Sequence, residues 1–402
     1  MTYLKRLLDT RLQHALERGK SVLLLGARQT GKSTLLKNQC DPDHYYDLSS
    51  PQLRREFEQD PDRLADEIAA LTLSPERKSP PLIIIDEVQK VPEIIDVAQS
   101  LIDDQKARFV LTSSSARKLK KRENGDINLL PGRVIKLQLD VLMLSELPSP
   151  HPKLEDILLY GQLPHICLTG NEFDKDEDLK SYVNIYLEEE IRQEALVRNL
   201  GAFSRFLELA AIEAGNPINM TKLAQEIGVN VHLISEYFQI VEDGLIVDKI
   251  LPIMDGTSRR RLTKAPKYLF FDLGVRRICA KEGTRLSAAS LGSQFEQFIG
   301  MELNRDIRLK NDSYKLSYWR DHNGPEVDYV IEMHHEFLPI EVKWTDKPST
   351  KDCRHLMKFM DEYPCKDIAY VVCRVPRKRM LNDRVMALPW QELPSILDNA
   401  GE

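Results

Sequence analysis

A chain of 402 residues is too long for one ordinary core, so two to four domains are expected. Its net charge of −6 argues against a generally basic nucleic-acid coat, although a local basic site remains open. The six cysteines show no CxxC or CxxH spacing and no apolar run reaches the roughly 18 residues that span a bilayer, which sets aside a disulfide or zinc framework and a membrane span and points to the cytoplasm.

In chain order, residues 4–18 place Leu4, Leu7, Leu8, Leu12, Ala15 and Leu16 on one helical stripe that Gly19 ends. The buried strand "SVLLL" (21–25) follows, then the loop "GARQTGKST" and a helix from Lys32. This is the strand–loop–helix setting in which a GxxxxGK[ST] pattern cradles phosphate. Gly26, Ala27, Arg28, Gln29, Thr30, Gly31, Lys32, Ser33 and Thr34 form the candidate nucleotide-binding set. The glycines permit a turn that points amides inward, and the helix adds its positive end. Lys32 is placed to reach the β- and γ-phosphates of ATP, and Ser33 to ligate Mg²⁺.

"PLIIIDEVQK" (81–90) reads as a parallel-sheet strand with Asp86 and Glu87 at its carboxyl end. Asp86 is expected to hold Mg²⁺ through water and Glu87 to orient the attacking water. An Asp–Glu pair also caps helices after strands, but the loop upstream favours the catalytic reading. A third strand, "RFVLTSSS" (108–115), ends in hydroxyls. Thr112 or Ser113 is either a γ-phosphate sensor or a helix cap.

These stretches, with "LLPGRVIKLQL", "YGQLPHI", "YLFFDLGVRR", "YWRDHNGPEVDYVIE" and "LPIEVKW", resemble AAA-type ATPases of bacteria and archaea that carry a C-terminal domain of unknown function. The resemblance covers nearly the whole chain. It departs at Ser113, where that family usually has glycine. It implies a parallel-sheet P-loop NTPase core of the AAA+ kind, a helical lid over residues 146–210, and an arginine supplied by a neighbouring subunit. Arg133 and Arg117 are the candidates, each with an ordinary surface arginine as the alternative. The basic run from Arg117 to Arg122 is either a solvated face or a phosphate-contacting loop.

Residues 217–253 have the layout of a helix-turn-helix with a wing. Thr221 is expected to cap the first helix, Gly228 to make the turn, and a second helix to run from about Val231 to Glu242. That second helix offers only His232 against three acids, which is poor chemistry for reading bases. The wing "GTSRRRLTKAPK" carries Arg259, Arg260, Arg261, Lys264 and Lys267, a set suited to tracking DNA phosphates, or else a solvated turn.

In the last third, "GPEVDYVIE" (324–332) and "FLPIEVK" (337–343) read as a hairpin. Pairing Glu332 with Phe337 sets Asp328 opposite Glu341, with Lys343 on the same face. The amphipathic helix "GSQFEQFIGMEL" brings Glu296 within reach. Glu296, Asp328, Glu341 and Lys343 resemble the PD-(D/E)XK nuclease pattern, in which the carboxylates bind metal and the lysine assists the attacking water. The alternatives are a binding platform and a metal-free salt-bridge network. "DIAYVVC" (367–373) reads as a further core strand.

The expected architecture is thus α/β and multidomain: an ATPase core (1–145), a lid (146–210), a winged-helix segment (211–266) and a restriction-endonuclease-like domain (267–402). The expected activity is Mg²⁺-dependent ATP hydrolysis acting on DNA by remodelling, branch migration or nuclease-coupled processing, in a homo-oligomer and away from membranes. The rival is an ATP-driven switch that binds a protein partner, with an inactive nuclease-like domain.

Overall fold

The computed structural model describes residues 3–73, 79–116, 130, 132–187, 199–253, 264–310, 313–321 and 324–400. The chain divides into two compact units, one of Met1–Val141 with Asp243–Ile246, the other of Leu142–Glu242 with Val247–Glu402.

The first unit is built on a parallel sheet of β1 (Ser21–Leu25), β2 (His44–Asp47), β3 (Leu82–Asp86), β4 (Arg108–Ser113) and β5 (Val134–Gln138), in the order β2-β3-β4-β1-β5. β1 and β3 are continuous apolar runs buried along their whole length, as strands covered on both faces must be. Leu23, Leu25, Ile83, Ile85, Phe109 and Leu111 share one core with Ile94, Ala98 and Leu101 of the helix Ile94–Asp103 and with Phe57, Leu64 and Ile68. Each of the Leu, Ile and Phe side chains among them contributes about 1.5–3 kcal/mol on full burial. β2 goes unread in the sequence because only Tyr46 of its four residues is buried. The first helix starts at Leu8, not Leu4, and Leu7 is exposed.

The position of β4 shapes the site. It lies between β1 and β3, with Leu25 level with Ser113 and Ile85 level with Leu111. The hydroxyls ending β4 therefore stand between the loop after β1 and the acids ending β3, at the sheet edge where ligands of open parallel sheets sit.

The second unit carries a mixed sheet in the order β12-β13-β11-β10-β9-β8-β6-β7. Its strands are β6 (Val247–Pro252), β7 (Lys267–Phe270), β8 (Lys315–Arg320), β9 (Glu326–Glu332), β10 (Phe337–Val342), β11 (Ala369–Cys373), β12 (Arg379–Met380) and β13 (Val385–Pro389). β8, β9 and β10 form an antiparallel meander, and the helix Arg354–Glu362 then leads to β11, parallel to β10. The helix Ala288–Lys310 buries Phe295, Phe298, Ile299 and Leu303, the side expected from its sequence.

The helices Met220–Ile227 and Val231–Asp243 flank Gly228, whose φ of 78° makes the turn, and β6 and β7 pair antiparallel. The cap is Asn219, whose side chain accepts from the Lys222 amide, so the expectation for Thr221 is corrected by two positions. Residues 188–198 of the expected helical lid lie outside the described residues.

Two sequence stretches without an assigned role prove to interlock. A Cβ on Gly274 would run into the Tyr160 carbonyl, and one on Gly161 into Asp272. The Gln162 amide N–H donates to Asp272 (2.6 Å), and the Gln162 side chain bonds Glu302 (3.0 Å) and Arg305 (2.9 Å). "YGQLP" and "FFDLGVRR" are thus two halves of one buried polar joint. Among the described residues no helix is long and apolar enough to cross a membrane, and none of the six cysteines forms a disulfide.

Candidate functional site

The loop after β1 is held from below and from the side. Gly26 must lack a side chain, because a Cβ there would strike the Leu139 carbonyl. Gln29 and Gly31 take positive φ, 63° and 100°, and the helix Lys32–Gln39 starts directly after. Thr30 Oγ1 donates to the Ala27 carbonyl at 2.9 Å. Arg6, buried, donates to the Thr30 carbonyl (2.9 Å) and to the carbonyls of Asp140 (2.7 Å) and Val141 (3.0 Å), which ties the loop to the segment after β5. The Lys32 ammonium bonds the Gly26 (2.8 Å) and Ala27 (3.2 Å) carbonyls across the loop.

The acids of β3 meet this loop. Ser33 Oγ donates to Asp86 Oδ2 at 2.6 Å, and Tyr45 OH donates to the same oxygen at 2.6 Å. Thr112 Oγ1 donates to Asp86 Oδ1 and accepts from the Glu87 amide at 2.9 Å. Burial and the Asp86 carboxylate push the Tyr45 phenol up, which keeps it a donor. Glu87 sits at φ 60°, and its Oε2 accepts from Gln89 and from Ser114 Oγ (3.2 Å). Ser113 turns its hydroxyl away, to the Ser115 carbonyl at 2.6 Å. A hydroxyl and a carboxylate this close are hard oxygen donors of the kind Mg²⁺ takes.

Arg133 pairs with Asp103 of its own chain (2.6 Å) at the surface. Arg117, the rest of the basic run to Arg122, and Arg259, Arg260 and Arg261 lie outside the described residues. Lys264 is exposed.

In the second unit, β9 and β10 pair with Glu332 level with Phe337, the register read from the turn. Asp328 and Glu341 are buried, and Asp328 Oδ2 accepts the Val342 amide at 2.8 Å. Lys343 bonds Glu341 Oε1 at 2.5 Å, while the buried Glu341 Oε2 has no hydrogen-bond partner. Burial, then the charges of Glu296 and Glu341, hold the Asp328 carboxyl well above the usual range. Burial works against the Lys343 ammonium, but Asp328 and Glu341 outweigh it and raise it to about 12. Glu296 reaches the cluster through a residue read differently from the sequence. Lys267 is no surface phosphate contact: its side chain is 4% exposed and its ammonium lies 3.1 Å from Glu296 Oε1. Among the described residues, no group of three or more His, Cys, Asp and Glu side chains is arranged to hold a metal ion.

Residues 18–147 match the AAA domain family, residues 151–285 a domain of unknown function (DUF8612) and residues 291–393 a second domain of unknown function (DUF4143). Residues 18–147 are an AAA-type P-loop ATPase domain. The chain is also similar to the uncharacterized proteins Mb2031c of Mycobacterium bovis and Rv2008c of Mycobacterium tuberculosis, each 26% identical over 391 residues, 95% of this chain and 83% of the relative. Among solved structures, the Walker-type ATPase PABY2304 of Pyrococcus abyssi aligns with 69% of this chain and 96% of its own at 13% identity and a TM-score of 0.45.

At this site, sequence reasoning missed Arg6, Tyr45, Gln89 and Ser114. Gln89 and Ser114 each stand within two residues of an acid or hydroxyl already singled out, so a closer look at "DEVQK" and "TSSS" would have found them. Arg6 and Tyr45 carry no local sign, since their partners lie up to 135 residues away.

Proposed function

We propose that the chain is a Mg²⁺-dependent ATPase that acts on DNA. The observation that carries the first half is the 2.6 Å bond between Ser33 and Asp86. These residues stand 53 positions apart, one opening the helix after the loop and the other closing β3, and they meet where a nucleotide's metal would be shared. Mg²⁺, held by Ser33 and through water by Asp86, would neutralise charge on the phosphate oxygens. Lys32 exchanges the loop carbonyls for phosphate oxygens and holds them there. Glu87 orients the attacking water and takes up its proton, while Gln89 and Ser114 fix its carboxylate. Thr112 sets both acids at once, because one hydroxyl touches Asp86 and the Glu87 amide. Residues 146–210 serve as the lid, and Arg133 or Arg117 of a neighbouring copy completes the site.

For DNA, the support is the helix–turn–helix followed by the antiparallel β6–β7 pair, read as a winged helix. Arg259, Arg260, Arg261 and Lys264 are proposed to contact phosphates without reading bases. The order helix, β8–β9–β10 meander, helix, parallel β11 supports a restriction-endonuclease-like fold for the last third.

One observation favours a second reading, an ATP-driven switch for a protein partner. The second helix of the pair exposes His232, itself 3.3 Å from the Glu236 carboxylate, and so presents a side chain beside an acid where a duplex reader would present free donors. The test measures ATP hydrolysis with and without duplex, branched and single-stranded DNA. Lys32→Ala and Glu87→Gln are expected to abolish hydrolysis, with Glu87→Gln still retaining ATP. DNA is expected to stimulate the wild type and to bind less tightly as salt rises. Hydrolysis with no DNA binding at low salt would leave the switch reading. Hydrolysis undiminished in Glu87→Gln would remove Glu87 from its role.

A further inference from the structure

One carboxylate of the second unit's cluster, Glu296, is paired with a cation that the chain itself supplies. Lys267 opens β7, level with Ile250 of β6, and its side chain runs inward. The ammonium is ion-paired to Glu296 at 3.1 Å and lies 4.9 Å from the centre of the Tyr318 ring and 5.6 Å from that of Tyr329. Two aromatic faces and a carboxylate around one ammonium are a built cation site. Its walls are fixed. Tyr318 OH donates to the Ala265 carbonyl, two residues before Lys267. Tyr329 OH donates to the Glu296 carbonyl at 3.1 Å. The Tyr329 ring lies against Gly300, where any Cβ would collide with it.

Asp328 Oδ2 holds the Val342 amide and Glu341 Oε1 holds Lys343, while Glu341 Oε2 is buried and without a hydrogen-bond partner. Two carboxylates of the cluster are thus already paired with ammonium groups, Glu296 with Lys267 and Glu341 with Lys343, and a set so neutralised does not fit a divalent metal. A metal drawing on Glu296 would have to displace an ammonium that has little exposure to water, and unpairing a buried charge is expensive.

We infer that Lys267 is a resident cation that takes the place of a divalent metal in this cluster, so that the domain binds no Mg²⁺ there and does not cleave phosphodiesters by that route. The inference stands apart from the nucleotide site of the first unit. A chain with a fully active ATPase and a silent C-terminal cluster satisfies both, and an inactive ATPase leaves this inference untouched.

The test uses nucleotide-free full-length protein and Mn²⁺ as the probe, followed by the loss of free-ion EPR signal and by the shift in Tm. Wild type and Asp328→Asn are expected to respond to Mn²⁺ alike. Lys267→Met keeps the aliphatic stem and removes the charge. It is expected to melt lower without metal and to gain Mn²⁺ binding at least about tenfold tighter than wild type, with a matching rise in Tm. Adding Asp328→Asn to Lys267→Met should abolish that gain. The inference is overturned if wild-type protein binds Mn²⁺ in a manner that Asp328→Asn removes, or if folded Lys267→Met gains no Mn²⁺ response. Should Lys267→Met fail to fold, the comparison of wild type with Asp328→Asn decides alone. Mn²⁺-dependent DNA cleavage by wild type that disappears in Asp328→Asn would overturn it as well.

Discussion

Single residues at the nucleotide loop do work that their type alone explains. Gly26 is required because backbone, not a movable side chain, fills the space a Cβ would need. Gly26→Ala must therefore push the loop off the Leu139 carbonyl, and Thr30, which closes the loop from inside, moves with it. Overpacking of this kind costs about 1–3 kcal/mol. The expected result is a lower urea midpoint together with at least about tenfold weaker ATP binding, since the same shift misaims the loop amides. An unchanged ATP affinity would show that the loop adapts freely and is not fixed by the Leu139 carbonyl. Asp86 shows the complementary case. Its carboxylate accepts from Ser33, Tyr45 and Thr112, so three elements agree on its position before any ligand arrives.

The helix Ala288–Lys310 carries an element-scale conflict in its last turn. Asp306 is 5% exposed and stands near the negative end of the helix, where a carboxylate is unwelcome. Its Oδ2 lies 3.1 Å from Lys310, which also pairs with Asp398, and its Oδ1 is buried without a partner. Burial, only partly offset by Lys310, raises its carboxyl to about 6 from an ordinary 3.8. The folded state therefore holds the proton more tightly than the unfolded one. Stability from this group is fully present below about pH 4 and is lost as pH rises to about 6. Asp306→Asn keeps the neutral form at every pH. It is expected to match wild type near pH 4 and to exceed it by about 1–3 kcal/mol above pH 6, read from urea midpoints at both values. An equal pH slope in both proteins would remove the assignment. The same helix shows what a sequence discloses. Its core side, the runs of β1 and β3, the strand ending at Ser113 and the register of the β9–β10 hairpin were all legible, because each is a periodic or short-range pattern. Lys267 was misread because only the fold reveals that a basic residue beside a surface turn points inward, toward a glutamate 29 positions on. The joint of Gln162 with Glu302, 140 positions apart, has the same cause. β2 was lost because an edge strand with one buried residue lacks the apolar run that marks its neighbours.

For the molecule as a whole, the open question is whether the nucleotide site is complete within one chain. The charge of −6 means that any DNA must be held by local basic segments, which makes binding salt-dependent but says nothing of assembly. Arg133 addresses assembly. It pairs with Asp103 at 2.6 Å, with side chains 32% and 45% exposed, and a surface pair of this kind holds its partners only weakly. The pair with Asp103 therefore costs little to break if a neighbouring copy presents a γ-phosphate. A trans arginine predicts three results together. Arg133→Ala should keep ATP binding and lose about a thousandfold or more in kcat, on the scale known for arginine fingers. Asp103→Ala should retain near wild-type kcat, because it frees the arginine without removing it. Mixing Arg133→Ala with Lys32→Ala, each inactive alone, should restore hydrolysis, because some interfaces then join an intact Lys32 to an intact Arg133. Light scattering with ATP should show an oligomer in the same samples. A monomer hydrolysing at full rate, or an Arg133→Ala protein with wild-type kcat, would return Arg133 to the role of an ordinary surface ion pair and leave the site complete in one chain.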